Sequence, residues 1–350
     1  MVELTELTPL VESVGAFLDE LVPRLVPGCD AAAVRATFAV AAAGYTAPRT
    51  ADGRRVSAIT PSGIPFEASV TGGGGRAEPA LRYVTEAATG MPFFGPRLAA
   101  QRRVLDELAT RLPAGAAGAA RELGCFVDTL FPDPPAVPAR TRFATTFGLV
   151  HRADRPAAPA GLKVYGNLGL DPAALARLGD RWPDVAALAE RVDGLPFLVP
   201  HFATAEAGAG GRLRHKLYFR TGARANAASL SVVARRFDAS AADLLDELAG
   251  CGAALSGHRP VFLCGEIGPD GDVLLSVHLP ARALSLGPEA MLALVRALAA
   301  RHHGTTAAVD ALTSAAAQAG GPWTPTVVGL GLAPGGGLGK LNVYLGAGAV

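Results

Sequence analysis

The chain has 350 residues, half of them hydrophobic, and a formal net charge of +1. A nearly neutral chain without a polybasic run argues against nucleic acid and anionic membrane surfaces as partners. The acidic, amphipathic N-terminus lacks the pattern of a signal peptide, and no run of about 18 apolar residues predicts a membrane span. The four cysteines are scattered without a Cys-x-x-Cys pair, so we expect neither a zinc site nor a disulfide framework, and a cytoplasmic location.

Strand-like segments occur in pairs along the chain, and helical stretches separate the pairs. One or two helices are predicted within 9–44. The strand pairs are predicted at 56–71 with 79–88, 142–151 with 161–168, 196–204 with 212–220, 260–267 with 273–280, and 325–332 with 340–346. Helices between them are predicted at 96–123, 171–191, 238–254 and 286–318. We interpret these repeats as a single domain over 1–350, with N-terminal helices in 1–55 and with barrel hairpins and outer helices in 56–346.

Side chains within the predicted strands alternate between an apolar face and a polar or aromatic face. In RLRHKLYFR (212–220), Lys216 and Tyr218 share one face, and Leu217 and Phe219 lie on the other. Helices would cover the apolar faces, and ten strands can close around a wet interior. The pattern predicts an α+β fold: a ten-stranded antiparallel β-barrel of ββα repeats, with a solvent-filled lumen surrounded by helices. A flat sheet with its polar face in bulk water is the alternative.

Lysine followed by tyrosine on the same face occurs in three predicted strands: Lys163/Tyr165, Lys216/Tyr218 and Lys340/Tyr344. Several cations converging on one cavity suit a multiply charged anion, and Arg214 adds another cation. A tyrosine ring attracts a cation by roughly 0.5–2 kcal/mol. A diphosphate ester that ionises to an allylic carbocation meets both demands, because the bases hold the diphosphate and the rings keep water from the cation.

Three stretches of the sequence resemble a known family, the dimethylallyltryptophan synthase branch of the ABBA-fold aromatic prenyltransferases, in its bacterial form. These are TPSGIPFEASV (60–70), LRYVTEA (81–87), and the pair LKVY and RHKLY, which are similar to the family's Lys-x-Tyr and Arg-x-Lys-x-Tyr strands. The resemblance spans about 56–346. It implies transfer of a dimethylallyl group from dimethylallyl diphosphate to an indole or tryptophan-type acceptor, by electrophilic aromatic substitution through a carbocation.

The resemblance also implies roles for individual residues. Glu67 would accept the acceptor N–H. The expected diphosphate-binding residues are Arg82, Lys163, Arg214, Lys216 and Lys340. The expected carbocation shield is Tyr165, Tyr218, His278 and Tyr344. The fourth hairpin departs from the family pattern, because Ser276 and His278 stand where the family often has Gln or a similar residue, then Tyr.

A base must also remove the proton from the alkylated ring. We predict His151, at the end of the strand that pairs with LKVY, because imidazole titrates near neutral pH. The alternative interpretation of His151 is an exposed turn histidine.

No DDxxD motif is present, and we interpret the acids of DLLDE (243–247) as a solvated helix face. We therefore predict no metal site, no essential Mg²⁺ and no cofactor, with dimethylallyl diphosphate as co-substrate. PGGGLGK (334–340) lacks the spacing and the Ser/Thr of a P-loop, so we interpret it as a hairpin turn.

The alternative functions are prenylation of a phenolic or cyclic-dipeptide acceptor, and a noncatalytic barrel that binds an anionic ligand. In either case the expected partners are small molecules, with no nucleic acid and no membrane. The protein is expected to be a monomer or a homodimer.

Overall fold

The computed structural model describes residues 9–45, 53, 55–60, 62–91, 93–133, 144–208, 213–222, 227–257, 259–268, 271–320 and 323–347. The helices of this part are α1 Pro9–Leu25, α2 Ala31–Ala41, α3 Phe94–Thr110, α4 Ala117–Leu130, α5 Ala174–Arg181, α6 Pro183–Val192, α7 Ala227–Arg236, α8 Ala241–Gly250, α9 Pro288–His302 and α10 Ala307–Gln318. The strands are β1 Phe66–Gly73, β2 Arg76–Ala77, β3 Ala80–Thr85, β4 Thr145–Arg152, β5 Gly161–Asn167, β6 Leu198–Gly208, β7 Leu213–Thr221, β8 Phe262–Ile267, β9 Val273–Pro280, β10 Trp323–Leu332 and β11 Leu338–Ala347.

The strands form a closed antiparallel barrel. Each strand from β3 to β11 pairs with its neighbour in sequence, and β1 pairs with both β3 and β11. The pairing of β1 with β11, which sets Ser69 opposite Tyr344, closes the ring. The two-residue strand β2 pairs with β1 outside the ring, which leaves ten strands in the barrel. The predicted fold class is confirmed.

The apolar faces of the strands point outward against the helices, as the alternation predicted. In β7, Leu217 and Phe219 are buried in the core between barrel and helices. His215 shares their face, and its Nδ1 lies 2.7 Å from Asp184 Oδ2 in α6. Burying a side chain of the size of Leu or Phe contributes about 1.5–3 kcal/mol, so this outer layer stabilises the barrel while its interior stays polar.

The helices are shorter than predicted. The stretch 96–123 is divided into α3 and α4 near Pro113, and 171–191 is divided into α5 and α6 at Pro183, because proline lacks a backbone N–H and disfavours helical backbone before it. Likewise, 286–318 is divided near Gly304, whose φ is +70°. Helix α7 was not predicted. None of the described helices is long and apolar enough to span a membrane.

Two predicted strand boundaries also differ. The first strand begins at Phe66 instead of residue 56, since proline at 61 and 65 removes two backbone donors from that stretch. The predicted starts at 142 and 212 lie outside the described residues.

The segment PGGGLGK forms the turn between β10 and β11. Gly335, Gly336 and Gly337 have φ values of +79°, +115° and +82°, a run that side chains with a Cβ rarely adopt. The N–H of Gly337 donates to a carboxylate oxygen of Asp243 in α8. Asp243 was interpreted as part of a solvated face, but it holds the turn that precedes Lys340.

Candidate active site

The barrel lumen contains a polar cavity. Residues of nine strands, β1, β3 to β9 and β11, line it. The polar and aromatic groups of this lining include Ser69, Thr71, Arg82, Lys163, Tyr165, Glu206, Lys216, Tyr218, Cys264, Glu266, Ser276, His278, Lys340, Asn342 and Tyr344. The three predicted lysine–tyrosine pairs therefore face one shared space.

Carboxylates accompany the cations at one end of the cavity. Arg214 Nη2 lies 2.5 Å from Glu206 Oε1 and is half-exposed at the rim. Lys216 Nζ donates to Glu266 Oε2 at 2.6 Å, and Arg82 pairs with Glu78. Because each of these cations already has a counter-charge, this end of the lumen is far less positive than its count of basic residues suggests.

Two lysines in the cavity form no ion pair with a carboxylate of the described residues. Lys163 Nζ donates to Tyr218 Oη at 3.1 Å and lies 4.5 Å from the centroid of the Tyr165 ring. The pKa of Lys163 is lowered to about 7, mainly by burial and secondly by the charge of Lys216. The same two causes lower the pKa of Lys340. Lys163 can therefore gain a proton when an anion enters.

Aromatic rings form a continuous arc along the cavity wall. The Tyr165 and Tyr218 centroids are 6.0 Å apart, Tyr218 and His278 are 5.8 Å apart, and His278 and Tyr344 are 5.7 Å apart. Burial, then the charges of nearby lysines, lower the pKa of His278 to about 3, so its ring is neutral at pH 7. The arc is thus an uncharged surface with the π-faces that attract a cation.

Glu67 lies on the lumen face of β1, two residues beyond Ser69. Because β1 and β11 run antiparallel, Glu67 lies past Tyr344, on the side away from Lys340. Its Oε1 accepts a hydrogen bond from Thr326 Oγ1 at 2.6 Å. Burial raises the pKa of Glu67 to about 7. A carboxylate at this place can accept a proton or an N–H group at neutral pH.

His151 is the one predicted site residue that points out of the barrel. On β4, Gly148 and Val150 face the lumen, so His151 lies on the outer face and is 1% exposed. Its ring stacks on Tyr83 with centroids 5.6 Å apart, and its Nε2 is 3.3 Å from Tyr83 Oη. The prediction that His151 is the base is wrong, because the strand lies between its ring and the cavity. It is not an exposed turn residue either.

Several lumen residues were missed by the sequence reasoning, notably Glu206 and Glu266. Both follow from the period of two: Glu206 lies opposite Lys163 on β6, and Glu266 opposite Lys216 on β8. Asn342, on the face of Lys340 and Tyr344, accepts a hydrogen bond from Thr71 Oγ1 at 2.7 Å. In the described part of the chain, no group of three or more His, Cys, Asp or Glu is arranged to hold a metal ion.

Solved structures with the same architecture include dimethylallyltryptophan synthases and the prenyltransferase PriB. The 6-dimethylallyltryptophan synthase from Micromonospora olivasterospora, in complex with DMASPP and Trp, is 21% identical and has a TM-score of 0.72, with 96% of each chain covered. The 5-dimethylallyltryptophan synthase from Streptomyces coelicolor is 17% identical with a TM-score of 0.71, covering 97% of this chain and 98% of that one. The chain has the ABBA prenyltransferase fold. AnaPT from Neosartorya fischeri shares it too, at 16% identity and a TM-score of 0.67, covering 97% and 95%.

The resemblance noted in the sequence is thereby confirmed at the level of the prenyltransferase fold. No protein-family model matches the sequence, and no curated protein matches it.

Proposed function

We propose that this protein transfers a dimethylallyl group from dimethylallyl diphosphate to an indole or tryptophan-type acceptor. The observation that supports the proposal best is the convergence of three lysine–tyrosine pairs on one lumen, with charged groups at one end and Glu67 toward the other. The prenyltransferase fold adds support, since one solved relative in fold is described as a complex with DMASPP and Trp.

The basic residues would bind the diphosphate and stabilise it as the C–O bond breaks. Each charge-assisted hydrogen bond contributes about 1.5–3 kcal/mol. Glu206 and Glu266 hold Arg214 and Lys216 in position before the donor enters, and the donor then competes with them for those cations. The diphosphate-binding set is Arg82, Lys163, Arg214, Lys216 and Lys340.

The aromatic arc would protect the allylic carbocation. The faces of Tyr165, Tyr218, Tyr344 and His278 stabilise positive charge without supplying a water molecule that would quench it. Burial holds the phenol pKa values of all three tyrosines above their usual range, so none of them becomes a phenolate that the cation would alkylate.

Glu67 would orient the acceptor and raise its reactivity. A carboxylate that accepts the indole N–H increases the electron density of the ring, and the ring carbon then attacks the cation. Thr326 Oγ1 fixes the carboxylate from the side. We further propose that no divalent ion is needed, because lysine and arginine supply the positive charge. The cytoplasmic location and the oligomeric state stay predictions.

Direct assay tests the proposed reaction. Protein incubated with dimethylallyl diphosphate and a panel of indoles, tyrosine, cyclic dipeptides and naphthalenediols is expected to give a monoprenylated indole, detected by mass spectrometry. Product from a phenol or a cyclic dipeptide alone would support those acceptors instead. Donor binding without product from any acceptor would favour the noncatalytic barrel. Transfer abolished by excess EDTA would contradict metal independence.

Donor affinity is expected to weaken as the pH rises above about 7. Lys163 has a pKa of about 7 in the free protein, and a bound diphosphate raises that pKa, so binding at higher pH takes up a proton. A single such site costs up to about tenfold in affinity per pH unit. Calorimetry with dimethylallyl thiolodiphosphate from about pH 7 to 9, in buffers of different ionisation enthalpy, measures the donor affinity and the number of protons taken up on binding. Lys163→Arg, always charged, should flatten the profile, and a flat wild-type profile contradicts this expectation.

A further inference from the structure

The role of carbocation shield uses the ring face of His278 but not its two ring nitrogens. It lies in the aromatic arc between Tyr218 and Tyr344. Its side chain is buried from bulk solvent but lines the lumen. No hydrogen bond connects either ring nitrogen to another described residue. A neutral imidazole always carries one nitrogen lone pair, and here that lone pair has no protein donor to occupy it.

The neighbouring strand fixes the ring against the lumen wall. Gly329 on β10 is paired with His278 on β9. A Cβ at Gly329 would lie 3.0 Å from His278 Nδ1 and 3.1 Å from Cε1, closer than ordinary van der Waals contact. The absent side chain therefore lets the imidazole lie across β10. This position keeps the ring among the groups that surround the carbocation.

The other proton acceptors of the cavity are already engaged. Glu67 is held by Thr326 and, in the proposed function, by the acceptor N–H. Glu206 and Glu266 are paired with Arg214 and Lys216. Lys163 faces the diphosphate and is protonated once that anion binds. His151 is outside the barrel.

We propose that His278 is the catalytic base that removes the proton from the alkylated ring; this inference rests on the proposed function. Attack of the ring carbon on the allylic cation forms the new C–C bond and leaves a positively charged ring with a tetrahedral carbon. The C–H bond of that carbon then breaks, its electron pair restores aromaticity, and the proton goes to the unprotonated ring nitrogen of His278. The imidazolium passes the proton to the diphosphate or to solvent, so charge and atoms balance.

Bound diphosphate makes His278 a stronger base, and it is present when the proton is removed. Burial lowers the pKa of His278 most, and the charges of Lys163, Lys340 and Lys216 lower it further. A diphosphate bound to those lysines compensates their charge, so the imidazole is a better proton acceptor in the loaded site than in the free protein. The alkylated ring is a very strong acid, and even a weakly basic imidazole accepts its proton.

Replacement of His278 by phenylalanine separates the base from the shield. His278→Phe keeps an aromatic face and removes both nitrogens. We expect kcat for prenylation to fall about 10²- to 10⁴-fold, with dimethylallyl thiolodiphosphate binding unchanged. Donor ionisation should continue and give dimethylallyl alcohol. With an acceptor deuterated on its ring carbons, the variant should show a primary isotope effect that the wild type lacks, because proton removal has become slow.

His151→Phe is the matched control, since it is the same change at a buried neutral histidine outside the lumen. It should keep wild-type kcat. His278→Gln, with circular dichroism and Tm on each variant, covers the case in which His278→Phe does not fold. Prenylation by either folded variant within about threefold of wild type, without an isotope effect, overturns the assignment of the base. Absence of product with wild-type protein would overturn the proposed function instead.

Discussion

Glu67→Gln is expected to reduce turnover by about 10²- to 10⁴-fold and to leave donor affinity within about twofold. Gln has nearly the same shape as Glu, but its neutral oxygen does not polarise an indole N–H as a carboxylate does. The diphosphate-binding cations lie toward the other end of β1 and β11, so the donor should bind normally. Single-turnover kinetics and calorimetry with dimethylallyl thiolodiphosphate measure the two quantities separately.

Glu67→Gln should also make the folded protein more stable above pH 7, although it lowers turnover. Burial raises the pKa of Glu67 to about 7 in the folded protein, above its value in the unfolded chain, so stability is lost as the pH rises through the interval from about 4.5 to 7. Gln avoids burying that charge, and Glu67→Gln should have a higher Tm than wild type above pH 7. Thr326→Val, which removes the hydrogen bond to Glu67 and a longer one to the backbone carbonyl of Tyr344, should show a smaller loss of turnover. Wild-type turnover by Glu67→Gln would contradict the role of the carboxylate.

Lys163→Met is expected to weaken donor binding by about 10- to 100-fold, the equivalent of one lost charge-assisted contact of about 1.5–3 kcal/mol. The amine is positioned by Tyr218 and by the face of Tyr165, and it has no carboxylate partner among the described residues. An incoming diphosphate can therefore pair with the Lys163 amine without displacing a carboxylate. Calorimetry with dimethylallyl thiolodiphosphate near pH 7 measures the change.

The same substitution should stabilise the fold. The pKa of Lys163 is lower in the folded protein than in the unfolded chain, so folding opposes its charge at every pH below the unfolded value, and the cost diminishes as the pH rises from about 7 to 10.5. Methionine fills the same space without that cost, and Tm should rise. Arg296→Met is the control: it removes one positive charge from an exposed ion pair with Asp310. It should change neither the donor affinity nor the Tm. Unaltered donor affinity in Lys163→Met would remove this lysine from the binding site.

The barrel could be predicted from the sequence because strands such as β7 have unambiguous faces. One face of β7 carries Lys216 and Tyr218, and the other carries Leu217 and Phe219, so only one face can line a polar lumen. Strands β5 and β11 have the same pattern. The rule of alternation then extends to Glu206 and Glu266, whose positions follow from their pairing with these strands. Those two carboxylates were not predicted, because only cations and aromatic rings indicated the site in the sequence.

The orientation of β4 could not be predicted in this way. Thr146, Gly148 and Val150 face one side of TTFGLVHR and Phe147, Leu149 and His151 the other. Neither set is distinctly polar, so the period of two does not indicate which one lines the lumen. Only the pairing with β3 and β5 decides it, through contacts between residues far apart in sequence.

The junction between β1 and β11 has a consequence for synthesis on the ribosome. Glu67 belongs to the first strand made, whereas its hydrogen-bond partner Thr326 and the neighbouring Tyr344 belong to the last hairpin. Until that hairpin emerges, β1 and β9 each present an edge of unpaired backbone groups, a surface prone to association with other chains. The proposed site therefore forms only after β10 and β11 have been made, and a nascent polypeptide that lacks these two strands exposes both edges to chaperones.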